Sequence, residues 1–413
     1  MDKYYNLKSK DKFAALTLEE RLNIAYELIE GLKADDLYPY RRPLDEANSV
    51  LNGTFVGSAG KNNGIINLAS NDYLNFTEHP DVIKVSSQTI KEHGVGSGSV
   101  PMLGGTLRVH KQLERDIADF MGCESAITYN SCYAANYGLL TAMLTSSDIA
   151  ILDTYVHASI IDGCCNTNKT YFNHNDPDSL KLTMKKATGF KNKLVIIDGV
   201  YSMDGDVAKL TEILEIARDN GAWVMMDESH ALGVIGDRGK GTQNYLDIKN
   251  KVDIISSSMG KSLGGIGGFI AGSEKLISLL EITSRPFIFS TSIPPNNAAS
   301  LIKAIELLNK KDPALNRLWD NITYFRDNIK QTGIESGNSE TAIFPLIIRD
   351  EVKLLNMCKM LHQQGIYVNP IFYPVVQKKK SRIRVSITAG LTQSDLDYTL
   401  DKIAYYGKSL GII

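Results

Sequence analysis

The sequence predicts an α/β protein: a large domain built on a mainly parallel sheet, followed by a smaller α+β C-terminal domain. Three observations carry this. From Asp148 onward, short continuously apolar runs (Ile149–Leu152, Leu194–Ile197, Trp223–Met226, Val252–Ile255 and Phe269–Ala271) alternate with amphipathic segments such as Leu210–Arg218. Unbroken apolar runs of strand length mark strands buried on both faces, and helices between them mark parallel connections. After about residue 295 the pattern changes to long helical stretches, 298–310 and 314–332, with isolated strands beyond them.

Taken in order, Thr17 and Glu20 have the spacing of a capping box, and Leu18, Leu22, Ile24, Ala25, Leu28 and Ile29 give the segment 17–34 an apolar helical face. The polar stretch from Asp35 to Gly64 reads as a connecting arm. A strand is expected at Ile65–Ala69, and a helix from Pro80, because proline suits a first-turn position. Ser125–Tyr129 is a strand that runs into a helix. Past the two long helical stretches come a strand at Ile343–Ile348, a helix, a short strand, another strand at Ile383–Ile387 and a last helix at 393–407. The expected units are an N-terminal helix and arm (1–64), a large domain (65–295) and a small domain (296–413).

The chain has 413 residues, of which 43% are hydrophobic and 22% charged, with a net charge of −2. A core of ordinary size is possible, and no global charge points to nucleic acid. No apolar run approaches the ~20 residues of a membrane span. Met1-Asp2-Lys3-Tyr4-Tyr5 leads into a charged stretch unlike a signal peptide, so a cytoplasmic location is expected. The five cysteines are odd in number and form no C-x-x-C, which argues against a disulfide framework or a zinc site. Cys123, Cys164, Cys165 and Cys358 are expected as small buried apolar residues.

The strongest chemical signal is Val224-Met225-Met226-Asp227-Glu228-Ser229-His230, a buried strand ending in a carboxylate with a histidine three residues on. Lys261 follows another apolar run, among the serines and glycines of Ser256–Gly265. An Asp ending one strand and a Lys just past the next suit pyridoxal phosphate: the Lys forms the Schiff base and the Asp pairs with the protonated pyridine nitrogen. Ser258 is placed to bind the phosphate. Alone, such an Asp is often a helix cap and such a Lys is often solvated; the ordered pair is far more specific.

Tyr129–Asn136 is a second candidate, because a strand enters a helix through Ser131, Cys132 and Tyr133, and helix N-terminal amides attract phosphate. An ordinary Ser-capped helix reads the same way. His157, after the run Ile149–Leu152, can stack on a planar ring or be structural. Arg382 and Arg384 fall on one face of a late strand and suit a carboxylate, or a solvated face. Gly94–Gly98 lacks the Lys of a nucleotide loop and is expected to line the site as a flexible segment. Lys378–Lys380 reads as a solvated turn near enough to Arg382 to attract an anionic substrate.

Together these segments resemble the α-oxoamine synthases of the fold-type I pyridoxal-phosphate enzymes, from about Ile65 to the C-terminus. The matching stretches are Asn71-Asp72-Tyr73-Leu74, Gly105-Thr106 with His110 and Leu113-Glu114, Asp153–Ser159, Asp198–Gly205, Asp227 with His230, the Lys261 segment, Phe289–Ser292 and Arg382-Ile383-Arg384. The resemblance implies that Lys261 is the Schiff-base lysine and moves the Cα proton. It also implies that Asp227 holds the pyridine nitrogen, that His230 and Ser202 lie at the phenolic oxygen, and that His157 stacks on the ring. Ser131, Cys132, Tyr133 and Ser258 would surround phosphate and ring. Thr291 would be a phosphate contact given to the partner of an obligate homodimer. Asn71 and Arg384, with Arg382 as a weaker candidate, would bind the amino-acid carboxylate.

The implied reaction is a decarboxylative condensation of a small α-amino acid with an acyl thioester of coenzyme A or acyl carrier protein. Within the family the motifs are mixed. Lys261-Ser262-Leu263, Ile266–Ile270, Val368-Asn369-Pro370 and the arm at Leu37–Tyr40 resemble serine palmitoyltransferases. Asn71–Leu74 resembles 8-amino-7-oxononanoate synthases, and Gly365–Val368 with Phe372–Val376 resembles glycine C-acetyltransferases. The expectation is a long-chain acyl donor with serine or a related amino acid such as cysteate. The rivals are those two relatives, a fold-type I aminotransferase and a non-catalytic partner subunit.

Overall fold

A computed structural model of the chain describes residues 13–41, 50–51, 64–248, 251–373 and 375–413. Met1–Tyr5, most of the expected arm and Pro374 lie outside the described residues. The first long helix, Leu18–Ala34, opens as expected: the Thr17 hydroxyl accepts from the Glu20 amide (3.2 Å), and the Glu20 carboxylate accepts from the Thr17 amide (2.8 Å). None of its residues is buried.

Two short strands follow, β1 (Val50–Leu51) and β2 (Ile65–Asn67). The large sheet holds β3 (Ser125–Tyr129), β4 (Ile149–Asp153), β5 (Asn168–Phe172), β6 (Lys193–Asp198), β7 (Trp223–Asp227), β8 (Ile254–Ser258) and β9 (Gly268–Gly272). Its seven strands run in the order β3-β9-β8-β7-β6-β4-β5. β9 alone runs against the other six strands. Chain connectivity therefore matches the expected mainly parallel sheet.

Period-two alternation divides the strands between two apolar layers. Ile151, Val195, Val224 and Met226 enter one layer, while Ala150, Leu194, Ile196 and Met225 enter the other with Leu139 and Leu140 of the helix Cys132–Met143. Asp227 continues on the Met225 side, toward that helix.

Two strands of this sheet differ from expectation. β8 starts and ends later than the apolar run, because Ser256 and Ser257 are buried inside the sheet, where small side chains fit between flanking strands. β5 carries no apolar run because it is the sheet's edge, largely exposed along Asn168–Tyr171.

The C-terminal region adds β10 (Ile343–Ile347), β11 (Ile366–Tyr367), β12 (Asn369–Ile371) and β13 (Arg382–Ser386). β13 lies antiparallel between β10 and β12. β11 pairs parallel with β2, so the strand expected to open the large domain belongs to a sheet with the small one. The helix Pro295–Asn309, expected to open the small domain, packs instead on the large-domain helices Pro80–His93 and Arg108–Met121. Both units share one continuous apolar core that includes Tyr73, Phe76, Phe269, Phe325 and Phe344.

Candidate active site

Parallel register places the C-terminal ends of neighbouring strands side by side: Asp198 of β6 stands opposite Asp227 of β7, which stands opposite Ser256 of β8. Sites in such sheets form beyond these ends, because the connecting loops part there. A cavity of about 190 Å³ opens at this edge. Lys261, Asp227, His230 and His157 line it, with Cys132, Tyr133, Ser202 and Ser258. Eight of the expected positions therefore share one cavity.

Asp227 is nearly buried, and both of its oxygens are held. The Ser229 amide donates to Oδ1 (2.9 Å) and Asn136 Nδ2 donates to Oδ2 (2.9 Å). The same Asn136 amide reaches Ser159 Oγ (3.0 Å), which lies 2.8 Å from His157 Nδ1. Asp227 and the His157 ring are thus fixed through one buried side chain. Burial holds the Lys261 ammonium down at about 8, although Asp227 opposes that shift. Roughly a tenth of such a group is a neutral nucleophile at pH 7, against roughly one part in three thousand for an ordinary lysine. Burial, then Lys261, Arg384 and His157, push His230 well below its usual value, so it is a neutral imidazole. Glu228 points away from the cavity and accepts from the Thr242 amide (2.9 Å) and hydroxyl (2.9 Å), a structural role.

Ser131 caps the helix Cys132–Met143 through the Ala134 amide (3.1 Å). Gly268 of β9 passes so close that a Cβ there would lie 2.4 Å from the Cys132 Cα and backbone nitrogen. Gly268→Ala is therefore expected to displace this helix start, costing about 1–3 kcal/mol of stability. A thermal melt together with titration by pyridoxal phosphate checks both stability and uptake.

Arg384 hydrogen-bonds Asn71 Oδ1, so these two residues meet as expected. Arg382 does not join them. It is 2% exposed and committed to Asp204 (2.6 Å), the Met203 carbonyl (2.9 Å) and the Lys380 carbonyl (3.0 Å). This pairing ties β13 to the loop after β6. Thr291 lies off the cavity wall, exposed, with its carbonyl accepting from Asn130 (2.7 Å). Gly94–Gly98 also does not line the cavity; Ser97 and Ser99 bond to Ser292 instead. Lys380 reaches the Tyr155 hydroxyl (3.4 Å). Of the cysteines expected to be buried, Cys164 and Cys358 are, Cys123 is half-buried and Cys165 is exposed; all five are free.

Sequence reasoning gave no role to Asn136, Ser159, Tyr73 or Asp198. Asn136 sits one helical turn after Cys132, so its direction into the site was readable once the helix start was placed. The others stand inside quoted motifs without a chemical cue of their own.

The donor set fits pyridoxal phosphate. A partly neutral lysine and a fixed carboxylate face one cavity. A capped helix start adjoins it, and Asp198 Oδ1 is a buried oxygen on its wall with no protein partner. These features define a fold-type I pyridoxal-phosphate transferase. The family described as aminotransferase class I and II matches residues 63–403. The 8-amino-7-oxononanoate synthase of Thermoanaerobacter pseudethanolicus is 39% identical over 398 residues, covering 95% of this chain and 98% of that protein. The enzyme of the same description from Symbiobacterium thermophilum is 37% identical over 390 residues, 94% and 98% of the two chains. A serine palmitoyltransferase structure from S. paucimobilis superposes with a TM-score of 0.91 at 28% identity, covering 96% of this chain and all (100%) of that one. The chain belongs to the α-oxoamine synthase family of pyridoxal-phosphate-dependent acyltransferases. Among the described residues no helix is long and apolar enough to cross a membrane.

Proposed function

We propose that the protein condenses a small α-amino acid with an acyl thioester, releasing the thiol and the amino-acid carboxylate as carbon dioxide. The observation that carries this reading is the meeting of Arg384 and Asn71 beside the Lys261 cavity, a donor and amide pair suited to an amino-acid carboxylate. Pyridoxal phosphate bound at Lys261 supplies the electron sink for the carbanion left at Cα. Asp227 would hold its pyridine nitrogen, His230 and Ser202 its phenolic oxygen, and His157 the ring face. Ser131, Cys132, Tyr133 and Ser258 would surround ring and phosphate. Lys261 takes the Cα proton and returns it to the product carbon. Arg384→Lys loses the fork geometry, and is expected to raise KM for the amino acid about tenfold or more with a smaller change in kcat.

A long-chain acyl thioester with serine or cysteate is the first reading of the substrates, supported by the full-length likeness to a serine palmitoyltransferase. The higher identity to 8-amino-7-oxononanoate synthases favours that activity as the second reading. Absorbance of the loaded protein, titrated with glycine, alanine, serine and cysteate and then with acyl thioesters of graded length, separates the two. A response to serine or cysteate with consumption of a long acyl thioester supports the first. A response to alanine with a preference for short thioesters overturns it in favour of the second.

The same reading includes a homodimer in which Thr291 serves the partner's site. Its position off its own cavity supports this, as do the exposed Val95, Leu103 and Phe289 on segments joined through Ser97, Ser99 and Ser292. Leu103→Glu combined with Phe289→Glu is expected to give a monomer with weakened cofactor retention, read by sedimentation and absorbance. A dimer unchanged by both substitutions would sink this arrangement. Five free cysteines support a reducing, cytoplasmic location.

A further inference from the structure

We propose that Tyr73 is a positioning residue whose buried hydroxyl fixes His230 as the tautomer protonated on Nε2. Tyr73 is fully buried, and its hydroxyl lies 2.8 Å from His230 Nδ1.

A buried hydroxyl needs an acceptor for its proton, and among the described residues His230 Nδ1 is the atom that meets the Tyr73 hydroxyl in a hydrogen bond. The reversed contact, with Nδ1–H donating, would leave the Tyr73 proton without an acceptor. Two further facts fit this direction. Burial raises the Tyr73 hydroxyl to about 12, so it keeps its proton. His230 is neutral and has one ring proton to place. With Nδ1 accepting, that proton is on Nε2, the ring atom left for the cavity that His230 lines.

The functional content rests on the reading that His230 faces the cofactor's phenolic oxygen. An Nε2–H donates to that oxygen and stabilises its anionic form; the opposite tautomer would face it with a lone pair.

The test is nitrogen-15 NMR of histidine-labelled, cofactor-free full-length protein, with the His230 signals assigned by their loss in His230→Gln. Wild type is expected to show a protonated Nε2 and an unprotonated Nδ1. Tyr73→Phe is expected to give a mixed or inverted pattern. After loading with pyridoxal phosphate at fixed pH, Tyr73→Phe is expected to lower the ratio of visible to near-ultraviolet absorbance at least about twofold. A purely structural tyrosine would leave both readouts in place. A protonated Nδ1 in wild type, or a tautomer and absorbance ratio unchanged in a folded Tyr73→Phe protein, overturns the inference. The cofactor-free tautomer decides it even for a protein that takes up no pyridoxal phosphate, a result that would sink the cofactor reading alone.

Discussion

Lys261→Ala is expected to yield a folded protein with no visible cofactor band and turnover lower by about 10⁴-fold or more, because one side chain serves as both cofactor anchor and proton carrier. The substitution removes a side chain from a cavity wall and not from the packed apolar core, so the melting temperature is expected to change little. The same residue sets a pH dependence. Only the neutral amine attacks a carbonyl, and burial places its midpoint at about 8. Cofactor capture by the empty protein is therefore expected to accelerate about tenfold per pH unit below pH 8 and to level off above it. Stopped-flow absorbance at several pH values checks this. A rate still climbing tenfold per unit at pH 9 would show that burial does not lower this amine.

Asp227→Asn is the second large effect, and the local hydrogen bonds say why even this isosteric change is costly. Both oxygens of Asp227 receive donors, the Ser229 amide on one side and Asn136 Nδ2 on the other. An asparagine offers one acceptor, so whichever way it turns, its own NH₂ faces one of those donors. The expected stability loss is about 1–3 kcal/mol for the broken buried pairing. Loss of the charge opposite the pyridine nitrogen is expected to lower kcat by about 10²–10³-fold. Steady-state kinetics on the cofactor-loaded variant, with its melting curve, separates the two contributions. Full activity would remove Asp227 from its proposed role.

Much of this site was readable because its residues end strands. An apolar run that stops at a carboxylate, as Met225-Met226-Asp227 does, identifies both a buried strand and the edge on which its last side chain emerges. Lys261 was legible for the same reason, beyond Ile254–Ser258. What escaped notice depends on distant geometry. Arg382 and Arg384 share a face, yet Asp204 captures the first and Asn71 meets the second; the alternation that grouped them says nothing about what lies opposite. β5 was hidden because an edge strand needs no apolar run. The domain limits were drawn from changes of pattern along the chain, whereas β2 and the helix Pro295–Asn309 each pack across those limits. Tyr73 stood inside a quoted motif without a chemical cue of its own; that its buried hydroxyl meets His230 Nδ1 depends on where a residue far along the chain is placed.

The pairing of β2 with β11 has a consequence for how the molecule is made. Ile66 finds its partner in Ile366, 300 positions later. At roughly 5–20 residues per second, a ribosome needs roughly 15–60 s between the two. The central sheet, closed by Gly268–Gly272, can assemble during that interval. β2 and the nearby Asn71 must wait for the C-terminal region to emerge, and closing so long a loop is slow in itself. A nascent chain interrupted shortly before Ile366 would therefore be expected to hold most of its central sheet, and even the Lys261 cavity, while lacking Arg384 and a settled Asn71. Recognition of the amino acid is then among the last properties the growing chain acquires.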